Sequence, residues 1–132
     1  MTLRIEWRNG SSSIGTDEVM LLAFPGVGNI GKVAIESLWK LNPTKVIARL
    51  HPSGLPPLAK LDDNGLLSPP HLTLSRVQTL SGSSLLTLTG PSQPNDSSAQ
   101  SQMAEELMLF FQEQGVSNVI VLAGMADSPE RK

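Results

Sequence analysis

The stretch VMLLAFPGVGNIGKVAIESLW, Val19 to Trp39, joins an apolar run to a helical repeat through a glycine-rich turn. Val19 to Phe24 is uninterrupted apolar sequence, as expected of a strand buried on both faces. Pro25 and Gly26 stop it. From Asn29 to Leu41 the period changes, and Ile30, Val33, Ala34, Leu38 and Leu41 fall on one helical face. That stripe is the predicted core face. Ile35 and Trp39 lie off it, so a second side of the helix is also expected to be covered. Asn42-Pro43 ends the helix, and KVIARL, Lys45 to Leu50, is the next strand. Strand, helix, strand in this order predicts a βαβ unit with a parallel pair and a right-handed crossover.

Outward from this unit the pattern stays α/β. Leu3, Ile5 and Trp7 alternate with polar residues as a short half-buried strand, and a turn completes an N-terminal segment over residues 1–16. His51 to His71 is rich in proline, and Asp63-Asn-Gly65 signals a turn between two short strands. LTLSRV (Leu72 to Val77) and SLLTLTG (Ser84 to Gly90) read as further strands. Met103, Leu107, Phe110 and Phe111 mark a second helix, from about Ala99 to Gln114, with Glu105, Glu106 and Gln112 facing out. Gly115 is placed as its C-terminal cap. NVIVLAGM, Asn118 to Met125, is the last buried strand, and residues 126–132 form a polar tail. One domain over residues 1–132 is expected: three layers, with helices on a mixed, mainly parallel sheet.

Composition removes several chemistries. A net charge of −2, with Lys and Arg scattered, offers no nucleic-acid-binding patch. The absence of cysteine excludes disulfides, thiolate zinc sites and cysteine nucleophiles. His51 and His71 lack the spacing of a metal-binding pair on a helix, and each neighbours a proline in a loop. Met20, Met103 and Met108 read as core filler. No signal peptide is evident, and no apolar run approaches the roughly 20 residues that span a bilayer. A cytoplasmic protein without metal or cofactor is the expectation.

The Gly26-Val-Gly28-Asn-Ile-Gly31 spacing is that of a dinucleotide-binding turn. Such a site also needs an acid at the end of the next strand, about 20 residues on, to accept the ribose hydroxyls. There the chain reads Arg49-Leu50-His51-Pro52, and the nearest acid is Asp62. A phosphate loop fails as well, because Gly31-Lys32 is not followed by Ser or Thr. No nucleophile elbow occurs, and the adjacent Asp62 and Asp63 point apart in an extended chain. A structural role is more economical. Gly28 and Gly31 let the helix start where a Cβ would collide with the sheet, and Asn29 caps it.

Three stretches together resemble the proteasome assembly chaperone 2 family. They are FPGVGNIGKVAIESL, LTLTGPSQP and FFQEQGVSNVIVLAGM, and their order and spacing agree over most of residues 17–125. The resemblance implies a phosphorylase/hydrolase-like α/β/α fold without catalytic activity. It also implies a chaperone that binds proteasome α-type subunits and helps their ring assemble. By position, Pro25, Gly26, Gly28, Asn29, Gly31, Gln93 and Pro94 match the family pattern, as residues that shape the fold. Family members are usually longer, and some carry a C-terminal hydrophobic-tyrosine tail with no counterpart in SPERK. A shortened sheet would leave an open edge or face, so a homo-oligomer is expected, with Ile35, Trp39 and the second helix as surfaces. The alternative reading is nucleotide or nucleoside binding at the Gly26–Gly31 turn.

Overall fold

The computed structural model describes residues 3–14, 18–24, 30–52, 60–61, 67–68, 70–90 and 97–122. In chain order these form β1 (Arg4–Trp7), β2 (Val19–Ala23), α1 (Ile30–Leu41), β3 (Thr44–His51), β4 (Lys60–Leu61), β5 (Leu67–Ser68), β6 (Leu72–Gln78), β7 (Ser84–Thr89), α2 (Ser97–Gln114) and β8 (Asn118–Val121). Six strands make one mixed sheet in the order β1-β3-β6-β7-β2-β8, and β4 pairs with β5 separately. The small β4–β5 pair is the one expected around Asp63-Asn-Gly65, a turn outside the described residues.

The α/β class stands, but the sheet is not mainly parallel. Only β2 is paired in parallel, with β7 on one side and β8 on the other. The β1–β3, β3–β6 and β6–β7 pairs are antiparallel. The predicted parallel pairing of β2 with β3 is therefore wrong. The two strands run in the same direction, yet β6 and β7 lie between them. Those two strands form a local hairpin whose turn is closed by Thr79 N–H donating to the Ser83 carbonyl (2.9 Å). Hydrophobic periodicity identifies a strand, but says nothing about such a unit taking the place beside it.

Alternation along the strands sorts the core. Met20 and Leu22 of β2, Leu86 and Leu88 of β7, and Leu72 and Leu74 of β6 point to one face, where Met103, Leu107, Phe110 and Phe111 of α2 join them. Trp7 adds its ring at 6.2 Å from Phe110. The end of α2 follows from Gly115, whose φ of 78° suits the residue after a helix. Val116 N–H reaches back to the Phe111 carbonyl (2.9 Å) and Gly115 N–H to Gln112 (3.1 Å), a pattern that satisfies free helix carbonyls.

Two residues of α2 depart from expectation. Glu106 is buried, because it lies three residues beyond Met103 on the inward stripe. Met108 is half exposed rather than core filler. The final strand β8 is also an exception: it is an edge, with Ile120 and Val121 exposed, and not a buried strand.

The other face of the sheet carries α1. Leu21, Ala23, Thr87 and Thr89 point to this side, and Trp39 Nε1 donates to Thr87 Oγ1 across 2.9 Å. Asn42 Nδ2 donates to the Leu38 carbonyl (3.0 Å) where the helix ends.

Candidate functional site

The strands that precede the glycine-rich stretch and the Gln-Pro element end side by side. The glycine-rich stretch follows Phe24 after β2, and the Gln-Pro element follows Gly90 after β7. Ala23 and Thr89 are register partners on these parallel strands. From there β2 continues to α1 on one face, and β7 continues to α2 on the other. Neighbouring strands whose helices go to opposite faces create a crevice at their carboxyl ends, where α/β sheets commonly place ligands. Pro25, Gly26, Gly28, Asn29, Gln93 and Pro94 lie outside the described residues.

Gly31 is described, and its geometry is decisive. A Cβ added there would stand 2.5 Å from the Leu122 carbonyl oxygen and 2.9 Å from the Ala23 Cβ. Only a residue without a side chain lets α1 begin this close to β2 and to the chain leaving β8. Because Gly31 faces the sheet, so do the residues one and two turns on. Ile35 is fully buried and Trp39 is tied to Thr87.

The predicted inner stripe is therefore the outer one. Ile30, Val33 and Leu41 are 59 %, 53 % and 80 % exposed, and Ala34 is exposed beside them. Both sides of α1 are apolar, so period alone could not choose between them. The close approach at Gly31 does. It also removes Ile35 and Trp39 as surfaces for self-association, since both are committed to the sheet.

Beside α1 lies a cavity of about 210 Å³. Lys32, Glu36 and Trp39 form the helical wall, and His71, Thr73, Thr89 and Gly90 form the sheet side. Thr89 is 3 % exposed, and its hydroxyl is the one buried side-chain polar atom without a hydrogen-bond partner among the described residues. Such a group costs about 1–3 kcal/mol of desolvation, so it calls for a physical reason.

Two ionic clusters went unseen in the sequence. Glu18 Oε1 and Oε2 accept bidentate hydrogen bonds from Arg76 (2.8–3.1 Å), and Oε2 accepts another from Ser84 Oγ (2.6 Å). The Arg76 guanidinium, with help from Ser84, holds the Glu18 carboxyl below the usual carboxylate range. On β1, Glu6 meets Arg8 at 2.9 Å and His51 at 3.3 Å, and Arg8 chiefly lowers its pKa. His51 and His71, distant in sequence, stand with ring centroids 5.8 Å apart. The Glu6–Arg8 pair is two residues apart in sequence, and the sheet assembles the other contacts. Among the described residues no three His, Asp or Glu side chains converge as metal ligands. No described helix is long and apolar enough to cross a membrane.

The PAC2 family model matches residues 20–132. A comparison with curated proteins finds no match. Among solved structures, the chain is similar to Pyrococcus furiosus PbaB, an archaeal proteasome activator, at 22 % identity and a TM-score of 0.73. That match covers 90 % of this chain and 50 % of PbaB. A Corynebacterium glutamicum protein of unknown function gives 17 % identity and a TM-score of 0.62, over 89 % of this chain and 48 % of that one. A Mycobacterium tuberculosis protein of unknown function gives 20 % and 0.57, over 89 % and 44 %. The chain thus spans about half the length of these structures. At such identities the likeness speaks for the fold.

Proposed function

The chain belongs to the PAC2 family, and from that premise we propose that it is a non-catalytic binding module that assists proteasome assembly through contact with α-type subunits. The observation that carries the reading is the family match over residues 20–132, with the fold likeness to a proteasome activator in support. The three-layer, phosphorylase-like architecture and a cytoplasmic location belong to the same reading. Pro25, Gly26, Gly28, Asn29, Gly31, Gln93 and Pro94 act in it as residues that shape the fold at the carboxyl ends of β2 and β7.

The contact surface is the outward stripe of α1. Ile30, Val33 and Leu41 give an exposed apolar face on a helix anchored from behind by Gly31, Ile35 and Trp39. Immobilised protein should retain proteasome α subunits from the same source at micromolar concentration. An Ile30→Glu/Val33→Glu variant of unchanged melting temperature should lose that retention. No retention by the parent chain removes the proposed function. Equal retention by the variant moves the contact elsewhere.

A further inference from the structure

We propose that the cavity between α1 and the carboxyl end of β7 is a binding site for a small zwitterion of the amino-acid class. The cavity holds about 210 Å³, below the range of roughly 300–1,000 Å³ typical of drug-sized ligands. An amino acid is of the right order for it.

The lining specifies the charge. Lys32 and Glu36 stand one turn apart on α1, so their Cβ atoms are about 5–6 Å apart and both side chains border the same space. Neither forms an ion pair or a hydrogen bond with a described residue. A cation and an anion bordering one space suit a carboxylate and an ammonium carried by one small molecule. A simple anion would satisfy Lys32 and be repelled by Glu36, and a simple cation would suffer the reverse.

The floor supplies the second observation. Thr89 lines the cavity, and its hydroxyl is buried there without a hydrogen-bond partner among the described residues. Thr87, two residues earlier on the same face, already spends its hydroxyl between Trp39 and the Ser75 carbonyl (2.9 and 3.4 Å). Thr73 adds a hydroxyl opposite, because it is the register partner of Thr89 on β6. Trp39 closes the wall with an indole held in place at Nε1. The site lies between α1 and the place where the carboxyl end of β7 meets the amino end of β6.

The indole provides the readout. In a Trp7→Phe background, Trp39 is the only tryptophan, and its emission is followed during titration with the L-α-amino acids and γ-aminobutyrate. Acetate, ethanolamine and sodium phosphate serve as singly functional probes. A saturable change with at least one amino acid below about 1 mM, at least tenfold tighter than any singly functional probe, is the expected result. Lys32→Ala and Glu36→Ala should each weaken it about tenfold with the far-UV spectrum unchanged. Thr89→Val should weaken it too, while raising the melting temperature of the ligand-free protein, since the orphan hydroxyl is gone. Silence of every amino acid up to about 10 mM overturns the proposal. So does phosphate or acetate binding as tightly as the best amino acid, and so does binding that Lys32→Ala and Glu36→Ala leave intact. The α-subunit retention assay, run without added ligand, is read separately, so the two proposals fail independently.

Discussion

A single missing Cβ sets the geometry of the glycine stretch. Gly31→Ala would place a methyl group 2.5 Å from the Leu122 carbonyl oxygen, a backbone atom that cannot swing aside. Alanine is the better helix former by about 1 kcal/mol. Overpacking costs about 1–3 kcal/mol or more and should win. Gly31→Ala is expected to destabilise by about 1–3 kcal/mol in urea unfolding; unchanged or raised stability would mean that the close approach to Leu122 relaxes without cost. Glu18 makes the second prediction at this scale. Its folded pKa lies below the unfolded value, so its contribution is present above the ordinary carboxylate range and is lost as pH falls through the folded pKa. Stability should drop over that acid window in the parent chain and drop less in Glu18→Gln. At neutral pH the substitution should cost about 1–2 kcal/mol, because the bidentate pair is only partly screened by water.

At the scale of elements, α1 separates what periodicity can decide from what it cannot. Both the predicted stripe Ile30, Val33, Ala34, Leu38, Leu41 and the stripe Gly31, Ile35, Trp39 are apolar; the second is the one that meets the sheet, and half-buried Leu38 is the one member of the first that is not exposed. Ile35→Ala should therefore cost about 2–4 kcal/mol, and Val33→Ala no more than about 0.5 kcal/mol. Comparable losses at both positions would mean that the outer stripe is packed after all. The strands, both helices and the Gly115 cap were legible, since each rests on local period or on a residue that ends an element. The inward side of α1 was legible too, had Gly31 been read as the first of a series at i, i+4 and i+8. The cavity was not. Lys32, Thr73 and Thr89 come from three elements, and only the sheet order brings them together. For the same reason the Glu18–Arg76 and His51–His71 contacts carry no sequence spacing.

For the whole molecule, the sheet order concentrates stability at its centre, and among the described residues β1 and β8 are its two edges. β6 and β7 are flanked on both sides, and Leu72, Leu74, Leu86 and Leu88 are fully buried. Among the described residues β8 pairs with β2 alone, and Ile120 and Val121 are half to two-thirds exposed. Amide protons of β8 should exchange sooner than those of β7, because an exposed edge opens without disturbing the core. The side of β8 away from β2, unpaired among the described residues and carrying these apolar side chains, is also what a second strand would recognise. In the oligomer proposed from the sequence, with Ile35, Trp39 and the second helix as surfaces, this edge takes the place given to Ile35 and Trp39. Ile120→Lys puts a charge where an incoming strand would pack, yet at a half-exposed position it should change monomer stability by no more than about 0.5 kcal/mol. Light scattering over a micromolar concentration series should show the parent chain gaining mass with concentration and Ile120→Lys staying monomeric. A parent chain that is monomeric throughout, or a variant that associates equally well, would exclude β8 as the self-association edge.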